Sequence, residues 1–172
     1  MDRLRSNNTV KINKYSVLIQ NEDINASKEI LDLKKLSVQT NSRNVGALVT
    51  FLGTVRELHG SSKVTELYLE HYPEMTEAII SDIIETSFER WPILNVNVVH
   101  RVGRLTPGEN IVFVGVTSSH RKAAFRACEF IMDFLKTKAP FWKKEFFGDK
   151  SRWVEFREQD EVEANRWENV KS

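Results

Sequence analysis

The sequence predicts an α+β fold with a largely antiparallel sheet. Three observations carry this. The β-branched runs 94–102 (LNVNVVHRV) and 110–117 (NIVFVGVT) are separated by the turn Thr106-Pro107-Gly108-Glu109, which sends the chain back antiparallel. The segments 73–90 and 118–137 repeat apolar residues at helical spacing. Hairpins and helices interleave without a regular βαβ alternation.

Residues 1–8 form a polar leader, 9–157 a single domain, and 158–172 a polar tail, helical or frayed, whose Trp167 can dock on a neighbour. Within the domain, 14–20 (KYSVLIQ) alternates as a strand. Ser27 is expected to cap a helix, KEILDLKKL, with Ile30, Leu33 and Leu36 on its apolar edge. The run 45–56 (VGALVTFLGTVR) is a long strand in which Gly46 and Gly53 mark a close backbone approach or a bulge. The loop ELHGSSK, polar and rich in Gly and Ser, is expected to be mobile. It leads into 64–71 (VTELYLEH), whose clean alternation predicts a hairpin with the preceding strand. Pro73 suits the first turn of a helix with Met75, Ile79, Ile83, Ile84 and Phe88 inward, closed by Trp91-Pro92. A final short strand is expected at 152–157 (RWVEFR).

A hydrophobic fraction of 41% supports a core, and a formal net charge of +1 gives no global field for nucleic acid or an anionic membrane. No apolar run reaches spanning length, and the first residues lack the apolar stretch of a signal peptide, which points to the cytosol. Cys128 is the sole cysteine, excluding an intrachain disulfide and a multi-cysteine metal site. It lies on the apolar stripe Ala124, Cys128, Ile131, Leu135, as a structural thiol rather than a nucleophile.

Basic charge gathers in one stretch, with Arg121, Lys122, Arg126, Lys136, Lys138, Lys143 and Lys144 set against Glu129 and Asp133. Ser118 and Ser119 signal a helix start there, with His120 and Arg121 in its first turn. Free backbone N–H groups, an imidazole and a guanidinium together suit an anion. Phe125, Met132 and Lys136 flank the apolar stripe, Pro140 stops the helix, and Lys143, Lys144 and Glu145 follow on an extended segment. Lysines near helix ends also commonly sit in solvent, and Phe141 and Trp142 can be plain core residues, so an anion site and a solvated face both stay open. There is no phosphate-loop, dinucleotide, zinc-protease or nucleophile-elbow motif. His59, His71, His100 and His120 lack metal spacing; His71 and His100 are expected to be structural. The chemistry left is that of lysine: anion binding, or an amine made reactive by its surroundings.

Seven stretches in consistent order carry a resemblance: GALVTFLGTVR (46–56), LEHYPEMTE (69–77), RWP (90–92), HRVGRLTPGE (100–109), VFVGVTSSHRKAAF (112–125), IMDFLKTKAPFWKKE (131–145) and RWVE (152–155). Over about Tyr15–Arg157 the chain resembles the large, catalytic subunits of molybdopterin synthase, the MoaE family. The resemblance implies an α/β hammerhead-type fold with an added antiparallel β subdomain. It implies a sulfurtransferase that makes the dithiolene of molybdopterin from cyclic pyranopterin monophosphate. The sulfur comes from the C-terminal thiocarboxylate of a small ubiquitin-like, MoaD-like carrier ending in Gly-Gly. It further implies a dimer of large subunits within a heterotetramer. Nothing in the sequence suggests a bound metal or a dissociable cofactor.

Carried over residue by residue, the substrate site would comprise Thr54, Val55, Arg56, His120, Arg121, Lys136, Lys143, Lys144 and Glu145, with Met132 and Arg157 lining it. Lys136 and Lys143 fall on the family's catalytic lysines, and His120, Arg121 and Arg157 can serve the neighbouring subunit's pocket. Phe141 and Trp142 either wall the pocket or simply pack. Two other readings compete: a non-catalytic dimeric scaffold that docks a ubiquitin-like tail, and a single-strand nucleic-acid binder built on KTKAPFWKKEFF.

Overall fold

A computed structural model describes residues 13–40, 44–60, 62–154 and 158–168. Among them, two four-stranded sheets share one chain path. The first joins β1 (Tyr15–Gln20), β6 (Ile93–Arg101), β8 (Asn110–Ser118) and β2 (Ala47–Thr54) in the order β1-β6-β8-β2. Only β1 and β6 run parallel; β6 with β8 and β8 with β2 are antiparallel. The second sheet has the order β10 (Lys150–Trp153), β9 (Phe141–Phe147), β5 (Glu66–His71), β7 (Gly103–Leu105), all antiparallel. A small hairpin, β3 (Leu58–His59) with β4 (Ser62–Lys63), stands between them in sequence. The α+β class and the antiparallel bias are as expected.

The near-continuous apolar reading of β6 and β8 follows from burial on both faces. Val96, Val98, Val112, Val114 and Val116 face the main core, shared with α2 (Pro73–Arg90) and α3 (Arg121–Thr137). Val99 and Phe113 face the other way, toward Ile24 and Ile30 at the start of α1 (Ala26–Gln39). The Cys128 thiol sits in the main core, where burial pushes its pKa up to about 12. Such a thiol is no nucleophile near neutral pH.

Several expectations change. Asn25, not Ser27, caps α1, accepting the Lys28 N–H at 3.0 Å. Helix α3 begins at Arg121 with His120 as its N-cap, because Ser118 completes β8 and its Oγ donates to the Pro92 carbonyl at 2.9 Å. Strand β5 does not pair with β2. The register of β2 breaks between Gly53 and Thr54, and the chain leaves the first sheet there; Leu67 and Leu69 of β5 then pack with Val55 and Leu105 in a second core. On α2 the buried face is Thr76, Ile80, Ile83, Ile84 and Ser87, while Met75 is 55% exposed. Ser87 tolerates the interior because its hydroxyl donates back to the Ile84 carbonyl at 2.6 Å.

Gly46 has the close approach its position suggests: a Cβ there would run into the Ser119 carbonyl. The polar tail forms α4 (Glu158–Asn165) and a closing 3-10 turn, and Trp167 docks as expected, 4% exposed against Trp91 and Phe130. The expected strand 152–157 is β10, ending at Trp153; residues 155–157 lie outside the described residues.

Candidate active site

The cleft lies where the chain crosses from the first sheet to the second. After the break at Gly53/Thr54, Val55 is tied to the turn that follows β7: its N–H donates to the Glu109 carbonyl at 2.9 Å and its carbonyl accepts from Gly108 at 2.8 Å. Val55 is thereby buried, and Thr54 and Arg56 on either side of it are exposed. These three residues, with His59 from β3 and Lys143 and Glu145 from β9, line a small cavity of about 70 Å³.

Alternation along β9 decides which basic residues reach it. Lys143 and Glu145 point to the inner face. Glu145 is 3% exposed and its carboxylate has three partners: Oε1 accepts from Lys143 Nζ at 3.0 Å, Oε2 accepts from His59 Nδ1 at 2.6 Å, and Arg152 Nη2 stands 3.6 Å from Oε2. Burial by itself would raise the Glu145 carboxyl. The hydrogen bonds and charges of His59 and Lys143 outweigh it and hold the group below its ordinary value. The result is a buried anion that fixes a half-exposed ammonium at the cleft, with the Arg56 position beside it.

The other expected site residues are placed elsewhere. Lys144 is on the opposite face of β9, its ammonium 5.5 Å from the Phe146 ring centroid and 5.4 Å from that of Trp153. Lys136, in the last turn of α3, is solvent-exposed, with Nζ 3.9 Å from Asp160 Oδ1. Met132 is half-buried against the main core. His120 and Arg121 are exposed at the other end of α3, about 22 Å from Lys136 at the rise of an α-helix. One chain therefore does not converge its basic residues, as the helix alone suggested; Arg157 lies outside the described residues. Phe141 packs between histidines, 3.9 Å from the His100 ring and 6.3 Å from that of His71, while Trp142 is 48% exposed beside Tyr72.

Two residues of the cluster were missed in the sequence. His59 sits in what reads as a mobile loop and meets Glu145 across 86 positions. Arg152 opens the RWVE stretch (152–155) but carries no site role from it. No group of three or more His, Cys, Asp or Glu among the described residues could hold a metal ion.

With the site in view, the comparisons are specific. The family model for the MoaE protein matches residues 20–138. The molybdopterin synthase catalytic subunit of Vibrio cholerae is 47% identical over 154 residues, 90% of this chain and 99% of its own. The solved molybdopterin biosynthesis MoaE protein from Burkholderia ambifaria superposes with a TM-score of 0.74 at 44% identity, covering 90% of this chain and 98% of that one. A chain in the complex of subunits 1 and 2 of molybdopterin-converting factor from Helicobacter pylori shares the fold, at a TM-score of 0.63 and 19% identity over 84% of this chain and 92% of its own. The chain belongs to the MoaE family.

Proposed function

We propose that this chain is the catalytic subunit of a molybdopterin synthase, converting cyclic pyranopterin monophosphate to molybdopterin with sulfur from the thiocarboxylate of a ubiquitin-like subunit. Family membership supports the activity. The observation that carries the site is the Lys143–Glu145 pair in the cleft beside Thr54, Val55 and Arg56.

The chemistry asks for two things. A cyclic phosphate must be held, and negative charge must be steadied as the thiocarboxylate sulfur attacks a pterin carbon and oxygen departs. Arg56 suits the first task, as a planar guanidinium that can bind phosphate through two parallel donors. Lys143 suits the second: its ammonium is fixed by Glu145, and so needs little reorganisation when charge develops. It would hold the thiocarboxylate and then the acyl intermediate joining substrate and partner. Lys136, solvent-exposed and in a loose ion pair with Asp160 at 3.9 Å, is assigned the role of general acid and base.

His120 and Arg121 follow Ser118, which ends β8 at the opposite end from Asn110, the partner of Thr54 at the cleft, and so lie too far away to serve the cleft of their own chain. They are assigned to the cleft of a second copy, and the family resemblance assigns Arg157 there too. Strand β2 favours such pairing, since it is the outer strand of the first sheet and carries Phe51 and Leu52, each 40% exposed. The assembly is then a dimer of large subunits with a small carrier at each cleft. No helix among the described residues is long and apolar enough to cross a membrane, in keeping with work in the cytoplasm.

Single-turnover conversion of the cyclic substrate by a thiocarboxylated carrier tests this, with carrier binding measured in parallel. Wild type should form dithiolene, and Lys136→Ala should bind the carrier normally while converting it about 10²-fold more slowly. Tight carrier binding without any product from wild type would leave a docking scaffold instead.

A further inference from the structure

We propose that His59 is a positioning residue for Lys143, acting through Glu145 and latching the β3–β4 hairpin onto β9. The proposal rests on the reading of Lys143 as the working cation of the cleft.

The geometry is that of a relay. An ionised carboxylate can only accept, so His59 presents Nδ1–H to Glu145 Oε2, at 2.6 Å. This bond fixes the rotation of the carboxylate, and Oε1 is left aimed at Lys143 Nζ, 3.0 Å away. Arg152 is the competitor. Its Nη2 is 3.6 Å from the same Oε2, and its side chain is 54% exposed, held among the described residues only by the Phe147 ring at 4.9 Å, so that it can follow the carboxylate. Without His59, Glu145 turns toward the guanidinium, which binds a carboxylate through two parallel donors, and Lys143 loses its anchor. A buried carboxylate cannot stay unpaired, so one of the two cations must take it.

The latch follows from where His59 stands. Its hairpin is only Leu58–His59 paired with Ser62–Lys63, closed by a Lys63–Glu57 ion pair at 2.9 Å and by the Val64 N–H on the Glu57 carbonyl at 2.7 Å. Leu58 at its edge is 59% exposed. So short a hairpin has little stability of its own and relies on contacts outside it. The His59–Glu145 bond joins it to the second sheet directly at the cleft, so one hydrogen bond sets both the wall of the cleft and its ammonium.

Two substitutions in the full chain separate the parts. His59→Asn keeps an N–H donor near the position of Nδ1, and His59→Ala removes it. In single turnover with thiocarboxylated carrier, His59→Ala should lose on the order of tenfold to a hundredfold in rate at saturating carrier, with carrier affinity unchanged, and His59→Asn should recover most of the loss. A His59→Ala rate equal to wild type, or a His59→Asn rate as low as that of His59→Ala, would overturn the proposal.

A second readout needs no turnover. Exchange of the Lys143 ammonium protons with water, followed by NMR in the free protein, should accelerate in His59→Ala and return toward wild type in His59→Asn. Unchanged exchange in His59→Ala would refute the relay whatever the activity. Faster exchange in His59→Ala together with an inactive wild type would uphold the relay and sink the synthase reading alone.

Discussion

His100 is buried at the end of β6, stacked on Phe141 and donating through Nδ1 to the Arg101 carbonyl at 2.7 Å. Burial depresses its pKa from 6.5 to about 4. The unfolded chain takes up this proton near 6.5 and the folded chain only near 4, so the contribution is complete above the first value and lost as the pH falls to the second. Linkage puts the loss on the order of 3 kcal/mol. Denaturant titrations should show it between those values, and His100→Gln should flatten that part of the profile. Glu109, held low by Thr106 and Arg101, and Glu145 add losses at more acidic pH that the variant retains. An identical slope in the variant would mean that His100 is not the group responsible. Single residues also mark the limit of sequence reasoning. Lys143 and Lys144 are equivalent as letters; only the face that β9 turns toward β3 separates them. The parity of FWKKEFF is legible, but which parity is inner depends on Glu145 meeting His59, a contact set by the hairpin's path rather than by any spacing.

At the scale of elements, periodicity located the helices and most strands, since burial on one face leaves its period in the sequence. It did not choose partners. The alternation of β5 declares a half-buried strand and is silent on whether β2 or β9 lies beside it; the break at Gly53/Thr54 decided that. Helix α2 misled for a different reason. Thr76 and Ser87 read as polar but lie in the buried stripe, Ser87 bonding inside its own helix, so the apolar edge is turned away from Met75. The tail is ambiguous in sequence because α4 has almost no apolar stripe; Ala164 and Trp167 bury in the main core, and Arg166 pairs with Glu129 and Asp133 of α3. Trp167 packs against Trp91 and Phe130, donates Nε1–H to Asp133 at 2.8 Å, and accepts from Arg90 at its carbonyl. Trp167→Ala should cost about 3–5 kcal/mol in chemical denaturation, as large aromatic deletions in cores do. A loss well under 1 kcal/mol would show that the tail is not part of the cooperative unit.

For the molecule as a whole, one arrangement organises the rest. The first sheet carries the hydrophobic core, and the second is hung from it where β2 turns out, so that the cleft opens between a rigid scaffold and a short hairpin. Helix α3 spans the scaffold with basic residues at both ends, and the proposed pairing of two copies would give this separation a chemical purpose: each cleft would receive from its neighbour the cations its own chain places too far away. The most direct test of this account compares adjacent lysines. Single-turnover dithiolene formation should fall by about 10²-fold or more in Lys143→Ala, the inner residue. It should be nearly unchanged in Lys144→Ala, whose ammonium lies against Phe146 and Trp153 on the far face. Full activity in Lys143→Ala, or an equal loss in both variants, would contradict it.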